Sequence, residues 1–370
     1  MYNKYCMTAR CKCRKGEQNM KASRMIPTVW TLTVASMAAG AAFGAGWTKT
    51  VTTTATAPWV EAAPTEEPRA EATRAVVDVA DGGRMVIGFG TALSELGWRA
   101  ISALPEAKRA TVLDGLFGSD GAALNVIRLP LGASDFSFDF FSYDETPGDF
   151  ELKDFSLARD EKNLLPLIRE AQQRVGKNLL VWASPWSPPQ WMKKSGHYAD
   201  CPGGGNDLKP EQRAYVGEDA FKADARHLEA YARYFRKYVD GYRALGVPIW
   251  MVMPQNEYMT AQYWPSCVWR NSTLAKFVGR YLGPALEGSG TEIYLGTLDR
   301  NYSFGLVDIA MQDKLISRYV TGVGCQWAGL ICMEATLRLM VYEAPSAPPE
   351  YGKGIVTRLK ALTRKRVVLS

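Results

Sequence analysis

The stretch VPIWMVMPQNEY, residues 247–258, decides how the chain is read. Its first eight residues are apolar and few, the pattern of a strand buried on both faces of a parallel sheet. The polar run begins where that strand ends, so Asn256 and Glu257 fall on the rim at its carboxyl end. On a parallel barrel the side chains of that rim converge on one pocket. A carboxylate there is a candidate proton donor, and the neighbouring amide is placed to hold a hydroxyl of whatever accepts the proton.

Outward from this strand, the same grammar repeats. Apolar stretches at 84–90, 123–131, 178–184, 247–254, 292–298, 322–327 and 337–343 read as strands. Amphipathic helices alternate with them, most clearly at 160–175 and 221–245. In the second helix Leu228, Tyr231, Ala232, Phe235, Tyr238, Val239 and Tyr242 form one apolar face, which is core packing rather than a cofactor box. Strand–helix repeats without a dinucleotide glycine fingerprint favour an α/β fold of the (β/α)8 TIM-barrel kind over a doubly wound sheet.

The remaining segments bound location and class. Residues 1–24 carry seven Lys/Arg against Glu17, and residues 344–370 carry six against Glu350, so the net +6 resides in the two ends. Residues 25–343 are mildly acidic, which excludes a nucleic-acid groove. Residues 25–47 hold no charge and follow a basic stretch, the layout of an export signal, cleaved or retained as an anchor. Residues 1–46 are therefore read as a basic leader, and the body of the chain as secreted or extracytoplasmic, with membrane association through residues 25–47 if the signal is retained. Of seven cysteines, Cys201, Cys267, Cys325 and Cys332 remain once the leader is removed, and three pairings stay open.

Functional groups of such a barrel follow the strands' carboxyl ends. Those positions hold Arg128 and Asp135, SPWSPPQW at 184–191 with Trp186 and Trp191, Asn256 and Glu257, Asp299 and Arg300, Gln326 and Trp327, and Glu343. Indole faces stack on sugar rings while carboxylates and amides bind hydroxyls, so the set suits a carbohydrate. Glycoside hydrolysis with retention needs two carboxyl groups roughly 5–5.5 Å apart. Glu257 and Glu343 are the pair a barrel would bring together. His197 follows the 184–191 loop as a loop histidine near the rim, and His227 is structural. Two histidines exclude a three-histidine zinc site, no GxSxG elbow is present, and glycines 203–205 lack the Lys-Ser/Thr of a phosphate loop. No metal or organic cofactor is implied.

Five blocks, GFGTALSE (88–95), NVIRLPLGASDFS (125–137), SPWSPPQWMK (184–193), QNEYMTAQYWPSC (255–267) and GVGCQWAGL (322–330), resemble glycoside hydrolase family 30, the glucosylceramidase-like retaining enzymes, in the family's order. The resemblance implies a TIM-barrel catalytic domain at 84–343 and a side β-sandwich whose N-terminal strands would lie in 47–83, otherwise a linker. It further implies Glu257 as acid/base, Asn256 as partner of the sugar 2-hydroxyl and Arg128 as support for the nucleophile. Asp135 and Trp186 match positions that bind the glycone, Gln326 and Trp327 match pocket-lining positions, and LMVYE (339–343) resembles the block ending in the nucleophile, Glu343. A β-linked glucoside or glycolipid substrate follows, with glucosylceramide or a β-1,6-glucan as the two alternatives.

Two departures stand out. Tyr258 replaces the proline that commonly follows the family's acid, and only residues 328–336 separate the sixth and seventh expected strands. The tail 344–370 is divergent and basic and offers no eighth strand, so the sequence reads as truncated or frameshifted after the seventh strand, with the barrel incomplete and only remnants of the sandwich. The alternative reading is a non-catalytic remnant, sugar-binding or unfolded.

Overall fold

The computed structural model describes residues 50–52, 56–57, 60–62, 87–299, 303–326 and 366–369. The chain divides into two compact units, Met1–Arg84 and Met85–Ser370. In the first, β1 (Thr50–Thr52) and β2 (Val60–Ala62) pair antiparallel.

In the second, β3 (Gly90–Ala92), β4 (Val126–Pro130), β5 (Leu180–Ser184), β6 (Ile249–Val252), β7 (Glu292–Leu298) and β8 (Val320–Cys325) lie side by side in chain order, each parallel to the next. Helices fill every connection, as parallel neighbours require. They are α1 (Glu95–Ser102) and α2 (Glu106–Phe117), then α3 (Ala158–Asn163) and α4 (Leu165–Val175), then α5 (Ala225–Ala244). The last connections hold α6 (Asn271–Phe277) and α7 (Gly283–Leu286), then α8 (Phe304–Gln312) and α9 (Lys314–Ser317). This is a TIM-barrel succession, open among the described residues because β3 bonds only to β4.

The sheet's far edge departs from expectation. The strand beside β8 is β9 (Arg366–Leu369), drawn from the basic tail in which no barrel strand was expected. A parallel neighbour needs a crossover of a dozen residues or more. Residues 328–336 are too few for that, whereas residues 326–365 suffice. The expected strand 337–343 lies outside the described residues.

Strand alternation sorts the core into two parts. Ile127, Leu129, Val181, Ala183, Ile293 and Leu295 join the helices' apolar faces in the main core. Trp182, Met251, Met253 and Tyr294 pack with one another on the sheet's other face, the barrel interior. That interior explains a glycine of GVGC: a Cβ on Gly324 would meet Met253 Cε at 2.2 Å.

The helix expected over 160–175 breaks at Leu164. Pro166 has no N–H to give the preceding turn, so a second helix starts with proline in its first turn, where that loss is harmless. Helix α5 starts after Asp224 rather than at 221, because the Asp224 side chain accepts from His227 N–H at 3.2 Å and caps the helix. Its Tyr242, together with Tyr143 from the loop after β4, faces a buried carboxyl, each donating to Asp160 Oδ2 at 2.6 Å.

Burial pushes the Asp160 carboxyl up to about 7, against the two tyrosine hydrogen bonds that favour its charged form. The folded chain therefore holds a proton that the unfolded chain releases above the ordinary carboxylate range. Stability from this group is full below about pH 4, falls as pH rises toward 7, and is flat beyond. Between pH 5 and 8, wild type should lose roughly 2–3 kcal/mol more unfolding free energy than Asp160→Asn, as measured by urea titration at both values.

Candidate active site

The site is assembled from strand ends. On β4, Arg128 alternates with Ile127 and Leu129, so its side chain enters the barrel interior, where it is 8% exposed. Its register partner on β5 is Trp182. The guanidinium carbon lies 4.9 Å from the Trp182 ring centroid and 4.4 Å from that of Trp186, two residues beyond the end of β5. Arg128 Nη2 donates to Ser184 Oγ at 2.9 Å and to Asn256 Oδ1 at 2.5 Å. Burial lowers the guanidinium to about 10, while the charges of Asp135 and Glu257 pull it back up. Arg128 stays cationic at neutral pH and presents fixed positive charge to the rim.

After β6 the chain turns sharply. Glu257 adopts a φ of 44°, in the left-handed region that costs a non-glycine residue about 1–2 kcal/mol. The turn is held from both neighbouring strands. Asn256 N–H donates to Pro185 O at 2.8 Å on one side, and Glu257 N–H donates to Thr297 Oγ1 at 2.9 Å on the other. Backbone held in so sparse a conformation is a mark of functional positions. Gln326, one residue past β8, donates Nε2 to Glu257 Oε1 at 2.8 Å. Gln255 beneath them is fully buried and donates to Trp186 O at 2.6 Å, tying the β5 and β6 loops together.

Asp135 lies in the loop after β4. It retains a water-facing surface, yet partial desolvation raises its carboxyl above the usual range, offset by its own N–H and by Arg128. It also lines an open cleft of about 720 Å³, together with Asp139, Phe140, His197, Asn206, Tyr263 and Trp264. Asp135 thus belongs both to this cleft and to the Arg128–Asn256–Glu257 group. Among the described residues no cluster of His, Cys, Asp and Glu has the makings of a metal site.

Of the residues expected in the site, the structure brings Arg128, Trp186, Asn256, Glu257 and Gln326 together, with Asp135 at their edge. Trp327, Glu343 and Arg300 lie outside the described residues. Asp299 is fully buried and holds the loops, accepting from Thr260 Oγ1 at 2.5 Å and Ser303 Oγ at 3.2 Å. Trp191 is buried and donates to Asp144 O at 3.1 Å, a core role. Sequence reading missed Thr297 and the cleft aromatics Phe140, Tyr263 and Trp264. Tyr263 and Trp264 sit in the quoted block 255–267, and adjacent aromatics after a rim acid were the available signal.

A parallel-barrel succession, open among the described residues, with an acid, an amide, a cation and indoles converging at its carboxyl-end rim defines a protein of the TIM-barrel class with a polar, aromatic-lined site where barrel active sites lie. The family model for the glycosyl hydrolase family 30 TIM-barrel domain matches residues 86–338, and the chain belongs to that family. It is 30% identical over 249 residues to the lysosomal acid glucosylceramidase of Mus musculus, covering 65% of this chain and 45% of that protein. It is 28% identical over 219 residues to an endo-1,6-beta-D-glucanase of Neurospora crassa, covering 58% and 42%. The chain thus spans less than half the length of these curated relatives. Among solved structures, the endo-beta1,6-glucanase BT3312 superposes with a TM-score of 0.58 at 22% identity, covering 76% of this chain and 56% of that one.

Proposed function

We propose that the chain is a retaining β-glycosidase of β-glucosides. The observation that carries this reading is Glu257, held in a left-handed turn at the β6 rim beside an amide that Arg128 orients. In the proposed reaction Glu343 attacks the anomeric carbon and Glu257 protonates the leaving oxygen; Glu257 then takes a proton from water, which releases the sugar. Asn256, with its Oδ1 occupied by Arg128, turns its Nδ2 donors toward the sugar, and Trp186 offers an indole face. Asp135 binds glycone hydroxyls, and Gln326 and Trp327 line the same pocket.

The names of the relatives support a glucosylceramide-like glycolipid or a β-1,6-glucan as substrate. The uncharged run at 25–47 supports export, with a retained anchor as the membrane-bound form. The test is hydrolysis of an aryl β-glucoside by the purified full chain, with product stereochemistry followed by NMR. The β anomer should form first, and Glu343→Gln should abolish turnover. Undiminished turnover in Glu343→Gln would remove Glu343 as nucleophile. A folded wild type that binds glucose yet hydrolyses nothing supports the sugar-binding remnant instead.

A further inference from the structure

GFGTALSE ends in an acid for which the proposed chemistry has no use. Glu95 opens α1, just past the end of β3, and is only 2% exposed. Its carboxylate is fully engaged: Arg159 Nε and Nη2 donate to it at 2.7 and 2.9 Å, and Asn163 Nδ2 at 3.3 Å. The fourth donor is the backbone N–H of Phe138 at 3.2 Å, in the loop after β4. Arg159 reaches the same loop a second time through an ion pair with Asp139, and its guanidinium lies 3.8 Å from the Phe141 ring centroid.

That loop carries Asp135 together with the cleft residues Asp139 and Phe140. Apolar burial does not hold it, because Phe136, Phe138 and Phe140 are 59%, 42% and 38% exposed. Polar contacts hold it instead: its own serine turn, in which Ser134 N–H donates to Ser137 Oγ at 2.8 Å, the Leu96 N–H to Phe136 O bond at 3.5 Å, Arg99 over the Phe138 ring, and the Glu95–Arg159 pair, while the Phe140 ring meets those of His197 and Tyr198 edge-on. A buried carboxylate with charge-assisted partners holds its geometry more tightly than a solvated one.

We infer that Glu95 is a positioning residue that sets Asp135 at the site by clamping residues 134–140 through the Phe138 amide and through Arg159. The inference rests on the proposed glycone role of Asp135 for its functional half; the clamp itself is independent of it. Glu95→Gln keeps the shape, removes the charge and turns one of the two acceptor oxygens into an NH2 donor, so either the Phe138 amide with Arg159 Nη2 or Arg159 Nε with Asn163 faces a donor in place of its acceptor.

Two measurements on the full chain test it. Hydrogen exchange of the amides in 134–140 should accelerate about tenfold or more in Glu95→Gln, with β5 and α5 unchanged. Unchanged exchange in 134–140, or acceleration everywhere, overturns the clamp. The second measurement is the dissociation constant for 1-deoxynojirimycin, a glucose-shaped iminosugar, in a double-mutant cycle with Asp135→Asn. Glu95→Gln should weaken binding about tenfold in the wild-type background and less than about twofold in the Asp135→Asn background. Equal effects in both overturn action through Asp135. A wild type that binds no iminosugar rejects the glycosidase reading, and the exchange result then decides the clamp by itself.

Discussion

Glu257→Gln is expected to reduce hydrolysis of an alkyl β-glucoside by about 10²–10⁴-fold, the range lost when a positioned proton donor is removed. The substitution is nearly isosteric, and both the Thr297 bond to the backbone N–H and the turn itself should persist. The deficit should depend on the leaving group. A nitrophenolate departs without much protonation, so its release should be impaired far less than that of an alkoxide. Hydrolysis of the glycosyl-enzyme then becomes slow, because no base activates the water, and an initial burst should precede a slow steady state. Azide, which needs no deprotonation, should restore turnover. If alkyl and nitrophenyl glucosides are slowed by the same factor, Glu257 is not the proton donor.

Lys193→Met should produce the largest loss of stability among single substitutions of the described residues' ion pairs. Lys193 and Asp200 are 0% and 1% exposed, and their charged atoms are 2.7 Å apart. Lys193 Nζ also donates to Tyr198 O at 2.6 Å and Ser266 O at 2.5 Å, while Asp200 accepts from Val268 N–H at 2.6 Å. Removing the ammonium leaves a buried carboxylate with only that amide and strips two carbonyls of a donor. The expected cost is about 3–5 kcal/mol in chemical denaturation. Burial already raises the Asp200 carboxyl, against the pull of Lys193. Without Lys193 the carboxyl should hold its proton to still higher pH, so the destabilisation should grow as pH rises and shrink in acid. Lys193→Met combined with Asp200→Leu should recover part of the loss. A single variant as stable as wild type would show that water reaches the pair.

Much of the barrel is legible in the sequence because its strands are buried on both faces and leave continuous apolar runs. The expected strand 292–298 coincides with β7, and 247–254 brackets β6. The first strand is less legible: the apolar part of 84–90 precedes the residues that pair, Gly90–Ala92, where glycine and alanine carry little signal. Strand β9 was invisible because four residues, RVVL, in a basic tail do not form a pattern. Rim residues within one block, such as Asn256 and Glu257, can be named from their place after a strand. Thr297 and Glu95 cannot, since their roles rest on hydrogen bonds across |i−j| of 40 and 43, which no local period records. Asp299 shows the converse failure, a rim position whose side chain serves loop anchoring.

The turn at Glu257 ties the placement of one carboxyl to three neighbouring strand ends. Pro185 after β5, Asn256 after β6 and Thr297 within β7 share two of the bonds that anchor it, and loss of the Thr297 bond should loosen its left-handed state. Thr297→Val keeps volume and deletes the hydroxyl, so it acts as a release catch: the carboxyl would swing while every apolar contact stays in place. If the proposed hydrolysis is the chain's activity, it is a readout of sheet integrity, and loosening any of the three strands should silence it before the fold as a whole gives way.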